Sequence, residues 1–306
     1  MSNNLMSESL HPFRKLAWIG TGVMGAAMAE HLKAGTGAEI SLFNRSQKKA
    51  IAAAERMGGK ATESIAEAVR DAELIVTMVG YPKDVEEVYL GPDGIFQHAR
   101  RGAYMIDMTT SDPALAEKLF REGSERGFHV LDAPVSGGDS GARAGTLSIM
   151  VGGSREDFDA VLPCLKTMGK NIVYMGAAGN GQHTKAANQI AVAGATAAYT
   201  EAMQYCARVN LDFSEVRKAI GGGAAASWQL ENMAPRAMAG DFAPGFFVKH
   251  FIKDMRIAVS EMEKRGESLE MLNTVLKTYE TFAGMGHEDD GTQALILYYR
   301  ERAKRS

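Results

Sequence analysis

The sequence predicts an α/β fold: a doubly wound, largely parallel sheet, followed by a domain built only of helices. Three observations predict it. Short apolar runs alternate with helical patterns from residue 15 to about 176. The chain carries 33 glycines, many of them at the ends of those runs, where tight strand-to-helix turns need them. After Gly181 the strand pattern stops and only helical patterns remain.

Taken in order, the strand candidates are 15–20, 38–44, 73–79, 103–108, 128–135, 147–153 and 171–176. Most are apolar on both faces, as strands covered by helices on either side must be. Helical patterns fall between them at 24–34, 46–57, 62–70, 113–126 and 155–168, and the later strands admit antiparallel edge members. The second domain reads as helices at 181–209, 214–220, 226–239, 246–265, 268–283 and 291–304, punctuated by Gly221-Gly222-Gly223 and the stretch 240–245. The domain boundary falls near 176–181.

Composition narrows the function. The chain has 306 residues, 45% hydrophobic and 23% charged, enough for two globular domains with real cores. A net charge of -3 argues against a nucleic-acid partner, which would require a basic face. Cys164 and Cys206 form no CxxC or Cys/His cluster, so neither a disulfide framework nor a metal site is expected, and a cytoplasmic setting is the default. Residues 1–14 are polar, lack the apolar core of a signal peptide and read as a flexible extension. The stretch 186–200 comes nearest to a membrane span, but Asn188, Gln189 and its alanines make it too weakly hydrophobic; it reads as a buried helix.

The first chemical motif is Gly20-x-Gly22-x-x-Gly25, between an apolar strand and an alanine-rich helix. Gly20 permits the tight turn, Gly22 lets backbone approach a pyrophosphate, and Gly25 lets helix pack on strand. With Thr21, Val23 and Met24 these residues form a dinucleotide cradle at a helix N-terminus, which marks the sheet as Rossmann-type. The end of the second strand bears on the choice of cofactor. An NAD site usually places a carboxylate there, whereas this chain has Asn44, Arg45 and Ser46. Arg45 offers a planar cation suited to a 2′-phosphate, so NADP(H) is favoured, with NAD(H) the alternative. Asn44 or Ser46 also suits an ordinary helix N-cap, and the two roles are compatible.

Further along, Ser136-Gly137-Gly138 follows a strand; its amides and hydroxyl suit a carboxylate, as they would also suit a plain turn. Met78, Val79, Gly80 and Thr110 lie at carboxyl ends of strands, where such sheets gather ligands. Lys185 heads a run of small residues in which Glu201 is the one other formal charge before Arg208. A lysine whose charged form is disfavoured by burial can give and take a proton near neutrality, the exchange that carbonyl reduction and its reverse require.

The segments GTGVMGAAMAEHL, FNRS, TMVG, IDMTTSDP, DAPVSGG, the stretch opening at Lys185 and KDMRIA together resemble the β-hydroxyacid dehydrogenase family, from residue 15 to about 265. The resemblance implies hydride transfer between nicotinamide and a small β-hydroxy acid or its semialdehyde, with no metal required. It makes Lys185 the general acid/base, Ser136–Gly138 the carboxylate loop, and Met78–Gly80 and Thr110 contacts to the nicotinamide half. By the same resemblance Lys253 reaches the cofactor, and Phe246 and Asp254 lie near the substrate. The family commonly has asparagine four residues after the lysine; here that residue is Gln189, with Asn188 before it, and either amide could face the site. Trp228 is a candidate pocket wall or core aromatic. The expected domains are then 15–178 for NADP and 179–306 for substrate and for assembly as a homodimer or homotetramer. Imine reductases and catalytically silent relatives share the architecture, but the retained lysine argues against both.

Overall fold

The computed structural model describes residues 12–305, so most of the expected extension at 1–14 lies outside the described residues. The chain divides into two compact units, residues 1–185 and 186–306.

The first unit is the α/β domain. Its strands are β1 (Lys15–Ile19), β2 (Glu39–Phe43), β3 (Lys60–Ala61), β4 (Leu74–Thr77), β5 (Tyr104–Asp107), β6 (His129–Asp132), β7 (Val135–Ser136), β8 (Leu147–Gly152) and β9 (Gly169–Gly176). Among the described residues they form one nine-stranded sheet, ordered β3-β2-β1-β4-β5-β6-β8-β7, with β9 paired to β8. Pairing is parallel from β3 to β6, whereas β6 and β7 meet β8 antiparallel. Side-chain alternation along β1 shows why both faces are covered. Leu16 and Trp18 enter one core with Met28 and Leu32, while Ala17 and Ile19 enter another with Val69 and Val85.

The helices of this unit are α1 (Val23–Thr36), α2 (Gln47–Met57), α3 (Ile65–Val69), α4 (Pro82–Leu90), α5 (Ile95–His98), α6 (Pro113–Glu125), α7 (Gly138–Ala144) and α8 (Arg155–Leu165). The expected strand at 128–135 is divided into β6 and β7 by Ala133 and Pro134, since proline has no N–H to give a ladder. The short helix α7 forms despite its glycines: Ala142 is fully buried in the core that also holds Met28, and the Arg143 carbonyl lies 2.9 Å from His31 Nε2. The long helix α9 (Asn180–Arg208) starts in this unit and ends in the next.

The second unit is helical: α10 (Phe213–Ile220), α11 (Ala234–Met238), α12 (Val248–Glu263), α13 (Glu270–Phe282) and α14 (Ile296–Arg305). π-helical turns at Gln229–Met233 and Ala283–His287, and a 3-10 turn at Thr292–Leu295, fill the connections. One core gathers Phe251, Met255, Tyr279 and Phe282, and another gathers Tyr199, Met203, Phe213 and Leu230. Among the described residues no helix is long and apolar enough to cross a membrane.

Candidate active site

The glycine loop has the geometry a dinucleotide requires. Gly20 adopts φ +100, and a Cβ there would run into the Met78 carbonyl oxygen, so only glycine fits. A Cβ on Gly25 would collide with the Gly20 carbonyl oxygen, which also accepts the Trp18 indole N–H at 2.9 Å. Gly22 differs: it is exposed at the start of α1, and nothing lies within 4 Å of the position a Cβ would take. That opening, beside the unpartnered and buried Thr21 Oγ1, leaves room and a hydroxyl for a phosphate at a helix N-terminus free of acidic residues. The residues present therefore fit NAD(P). Exposed Val23 and partly buried Met24 continue the same turn.

Asn44 joins this loop to the end of β2. Its Oδ1 accepts from Thr21 N at 3.1 Å, and its Nδ2 donates to the Ser46 carbonyl at 3.1 Å. Ser46 occupies the N-cap position of α2 without a side-chain cap bond, so the capping half of the expectation is met by position alone. Arg45 leaves its side chain 78% exposed, with Nη1 3.0 Å from Asp84 Oδ1. Asp84 itself is buried, and its other oxygen accepts from Tyr81 N at 3.0 Å. One guanidinium N–H is thus anchored while most of the fork faces solvent.

At the ends of β4 and β5 a buried polar network fixes the segments expected near the nicotinamide. Thr77 Oγ1 donates to Asp107 Oδ1 at 2.8 Å, and Thr109 N donates to the same oxygen at 3.1 Å. Val79 N, between Met78 and Gly80, donates to Thr109 Oγ1 at 3.0 Å. Burial pushes the Asp107 carboxyl up to about 6, although these hydrogen bonds oppose the shift. Thr110 is partly buried between Thr109 and Ser111.

Ser136 closes β7, and Gly137 and Gly138 take φ +134 and +62 as the chain turns into α7. Asp139, which would repel a carboxylate, is paired with Arg143 at 2.8 Å. Lys185 lies in the first turns of α9 and is 6% exposed, unusual for a lysine and in keeping with the expectation of burial.

The second unit brings four of the expected residues together. Asn188 Nδ2 donates to Gln189 Oε1 at 2.7 Å, and Gln189 Nε2 donates to Asp254 Oδ2 at 2.6 Å. Asp254 Oδ1 lies 3.0 Å from Lys253 Nζ, with both side chains largely buried. Gln189 is therefore occupied by Asp254, while Asn188 stays only partly buried. Phe246, two residues before α12, packs edge-on against Phe251 with ring centroids 5.7 Å apart. Trp228 is 55% exposed and so is no core aromatic. Among the described residues no group of His, Cys, Asp and Glu is arranged to hold a metal.

Sequence reasoning passed over Asp84, Asp107, Asp132 and Gln182. The signal available was a carboxylate ending two apolar strands, at Asp107 and Asp132, where a polar residue in a buried strand needs a partner.

The glycine cradle at the head of a doubly wound sheet defines a dinucleotide-binding domain, and a helical unit follows it. Residues 15–176 match the family described as the NAD-binding domain of 6-phosphogluconate dehydrogenase. Residues 179–299 match the one described as NAD-binding of NADP-dependent 3-hydroxyisobutyrate dehydrogenase. The chain is 47% identical to the uncharacterized oxidoreductase YkwC of Bacillus subtilis, over 92% of this chain and 97% of that one. It is 34% identical to 2-hydroxy-3-oxopropionate reductase of Escherichia coli, over 92% and 96% respectively. The solved 3-hydroxyisobutyrate dehydrogenase of Mycobacterium tuberculosis with L-serine superposes with a TM-score of 0.86 at 29% identity, covering 94% of this chain and 99% of that one. The protein belongs to the β-hydroxyacid dehydrogenase family, to which 3-hydroxyisobutyrate dehydrogenases and 2-hydroxy-3-oxopropionate reductase belong.

Proposed function

We propose that the protein is an NADP(H)-dependent dehydrogenase or reductase of a small β-hydroxy acid or its semialdehyde, with Lys185 as general acid/base. The observation that carries the reading is the burial of Lys185, 6% exposed, in the first turns of a helix fastened to the sheet's ligand-binding edge. When bound, the nicotinamide supplies or accepts the hydride. The chain's part is to hold the reactants and move the proton. Lys185 Nζ gives a proton to the carbonyl oxygen as it becomes a hydroxyl, and takes it back in the reverse direction. The Ser136 hydroxyl and the Gly137 and Gly138 amides hold the substrate carboxylate. Asn188, a partly buried residue whose Nδ2 donates to Gln189, serves as substrate contact, whereas Gln189 orders Asp254 and Lys253. The exposed guanidinium of Arg45 favours the 2′-phosphate of NADP(H) over NAD(H).

A homodimer or homotetramer belongs to the same reading. Tyr205, Val209 and Leu211, at and just beyond the end of α9, are 65%, 44% and 53% exposed, an apolar stretch suited to a second copy. A cytoplasmic setting fits Cys164 and Cys206, both free and buried.

The experiment is a panel of 3-hydroxyisobutyrate, serine, glycerate, 4-hydroxybutyrate and the corresponding aldehydes, each with NADP(H) and NAD(H). Turnover of at least one, with kcat/KM favouring the phosphorylated cofactor, is expected. Turnover of cyclic imines with none of the hydroxy acids or aldehydes accepted would contradict the reading.

A further inference from the structure

The groups that fasten the lysine segment lie outside the motifs that suggest its chemistry. Around the start of α9, Gly179 N and Gln182 N donate to the two carboxylate oxygens of Asp132, at 2.8 and 2.9 Å. A carboxylate there satisfies amides that the helix leaves unbonded and faces the positive end of its dipole. Two glycines make the approach possible. A Cβ on Gly152 would lie 2.5 Å from Asp132 Oδ1, and one on Gly181 would lie 2.7 Å from Oδ2.

Gln182 adds a second fastening. Its side chain is 1% exposed; Oε1 accepts from Ser111 N at 2.9 Å and Nε2 donates to the Thr109 carbonyl at 2.8 Å. Thr109 is itself bound to Val79 N and to Asp107. The first turn of α9 is thus tied to the carboxyl ends of β4, β5 and β6, the edge where a doubly wound sheet gathers its ligands. A helix needs only a cap to begin. The two-ended grip of Gln182 on a separate segment is more than capping requires, and Lys185 follows it by three residues, one turn along the same face.

We propose that Gln182 and Asp132 are positioning residues for Lys185, holding the first turn of α9 in one register against the strand ends so that the ammonium meets the reacting oxygen. The inference rests on the reading of Lys185 as acid/base. Its physical content is alignment: a displacement of about 1 Å at a reacting group can cost on the order of 100-fold in rate.

The test compares Gln182→Met with Gln182→Glu. Methionine keeps the length and helix propensity of glutamine but makes neither hydrogen bond. With the panel compound of highest kcat/KM, kcat should fall on the order of 10- to 100-fold, while KM and the NADPH Kd stay within about twofold. Glutamate is the rescue. As a neutral acid it can accept from Ser111 N and donate to the Thr109 carbonyl; once ionised, it sets oxygen against oxygen. Turnover relative to the native enzyme should therefore recover as pH falls in Gln182→Glu and stay flat in Gln182→Met. Asp107, Asp112, Asp132, His183 and Lys185, with Glu117 of α6 against Gly179, are the titratable groups around the clamp; they are common to all three proteins and cancel in that ratio. Asp132→Asn, which turns one acceptor into a donor facing an amide, should lower kcat like the methionine variant.

A purely structural role would lower thermal stability without separating kcat from KM and without recovery in acid; that outcome overturns the proposal. So does a methionine variant with kcat within twofold of native. Should that variant fail to fold, the presence or absence of acid recovery in Gln182→Glu decides. Hydrogen exchange of amides 179–186 separates the two readings. Exchange on the order of 10-fold faster in Gln182→Glu at neutral pH upholds the clamp even where Lys185→Ala keeps its turnover. Unchanged exchange removes the clamp alone.

Discussion

Asp107 offers a perturbation whose size follows from the structure. Its side chain is buried at the end of β5, and one oxygen receives both Thr77 Oγ1 and Thr109 N. Burial raises its carboxyl from 3.8 to about 6, about 2 units, which at 1.36 kcal/mol per unit is roughly 3 kcal/mol. The folded state holds the proton more tightly than the unfolded chain. Stability from this group is therefore fully present below about pH 3.8, and is lost as pH rises through about 6. Asp107→Asn keeps the accepting oxygen and cannot ionise, so the variant lacks that loss. The assay is denaturant unfolding followed by fluorescence of Trp18, fully buried in β1, in a Trp228→Phe background that removes the other tryptophan. Between pH 4 and pH 8 the variant's stability relative to native should rise by about 2 kcal/mol, the remainder falling below pH 4. Contributions from the other carboxylates are shared and cancel in the difference. A difference that does not change with pH, or that falls as pH rises, would refute the reasoning.

Other consequences are equally direct. Arg45→Ala should weaken NADPH binding by about 10- to 100-fold, the worth of charge-assisted hydrogen bonds, and leave NADH within about twofold; equal losses in titrations of cofactor fluorescence would contradict the phosphate assignment. Gly22→Ala should leave thermal stability within about 1 kcal/mol, because its Cβ meets nothing, yet raise the Kd for either cofactor at least tenfold. Gly25→Ala should instead destabilise the first unit by about 1 to 3 kcal/mol, since its Cβ meets the Gly20 carbonyl. Gln189→Ala leaves Asp254 Oδ2 buried without its donor and should cost the second unit about 1 to 3 kcal/mol in denaturant unfolding.

What was legible in the sequence is what local sterics decide. Gly20 and Gly25 declare themselves because backbone meets backbone there, and no other residue fits. Apolar runs such as Leu74–Thr77 read as strands because helices cover both faces. Partnerships across long separations were not legible. Arg45 marks itself as a candidate cation, but its anchor Asp84 lies on α4, a helix the apolar pattern did not reveal. Asp132 looks like the polar end of a strand; its donors are amides 47 and 50 residues further on. The short α7 contradicts the low helix propensity of its glycines because Ala142 finds a place in the core. For Asn188 and Gln189, spacing alone left two amides open, and the carboxylate that binds Gln189 Nε2, Asp254, lies 65 residues further on, beyond the reach of any local pattern.

The central claim is that Lys185 moves the proton. The most direct measurement is steady-state turnover of Lys185→Ala and Lys185→Met with the best panel substrate, alongside NADPH titration of the same proteins. Loss of a positioned acid/base is worth on the order of 100- to 10,000-fold in kcat, and cofactor binding should remain within about twofold. Turnover close to native in either variant, with cofactor bound normally, would contradict the account.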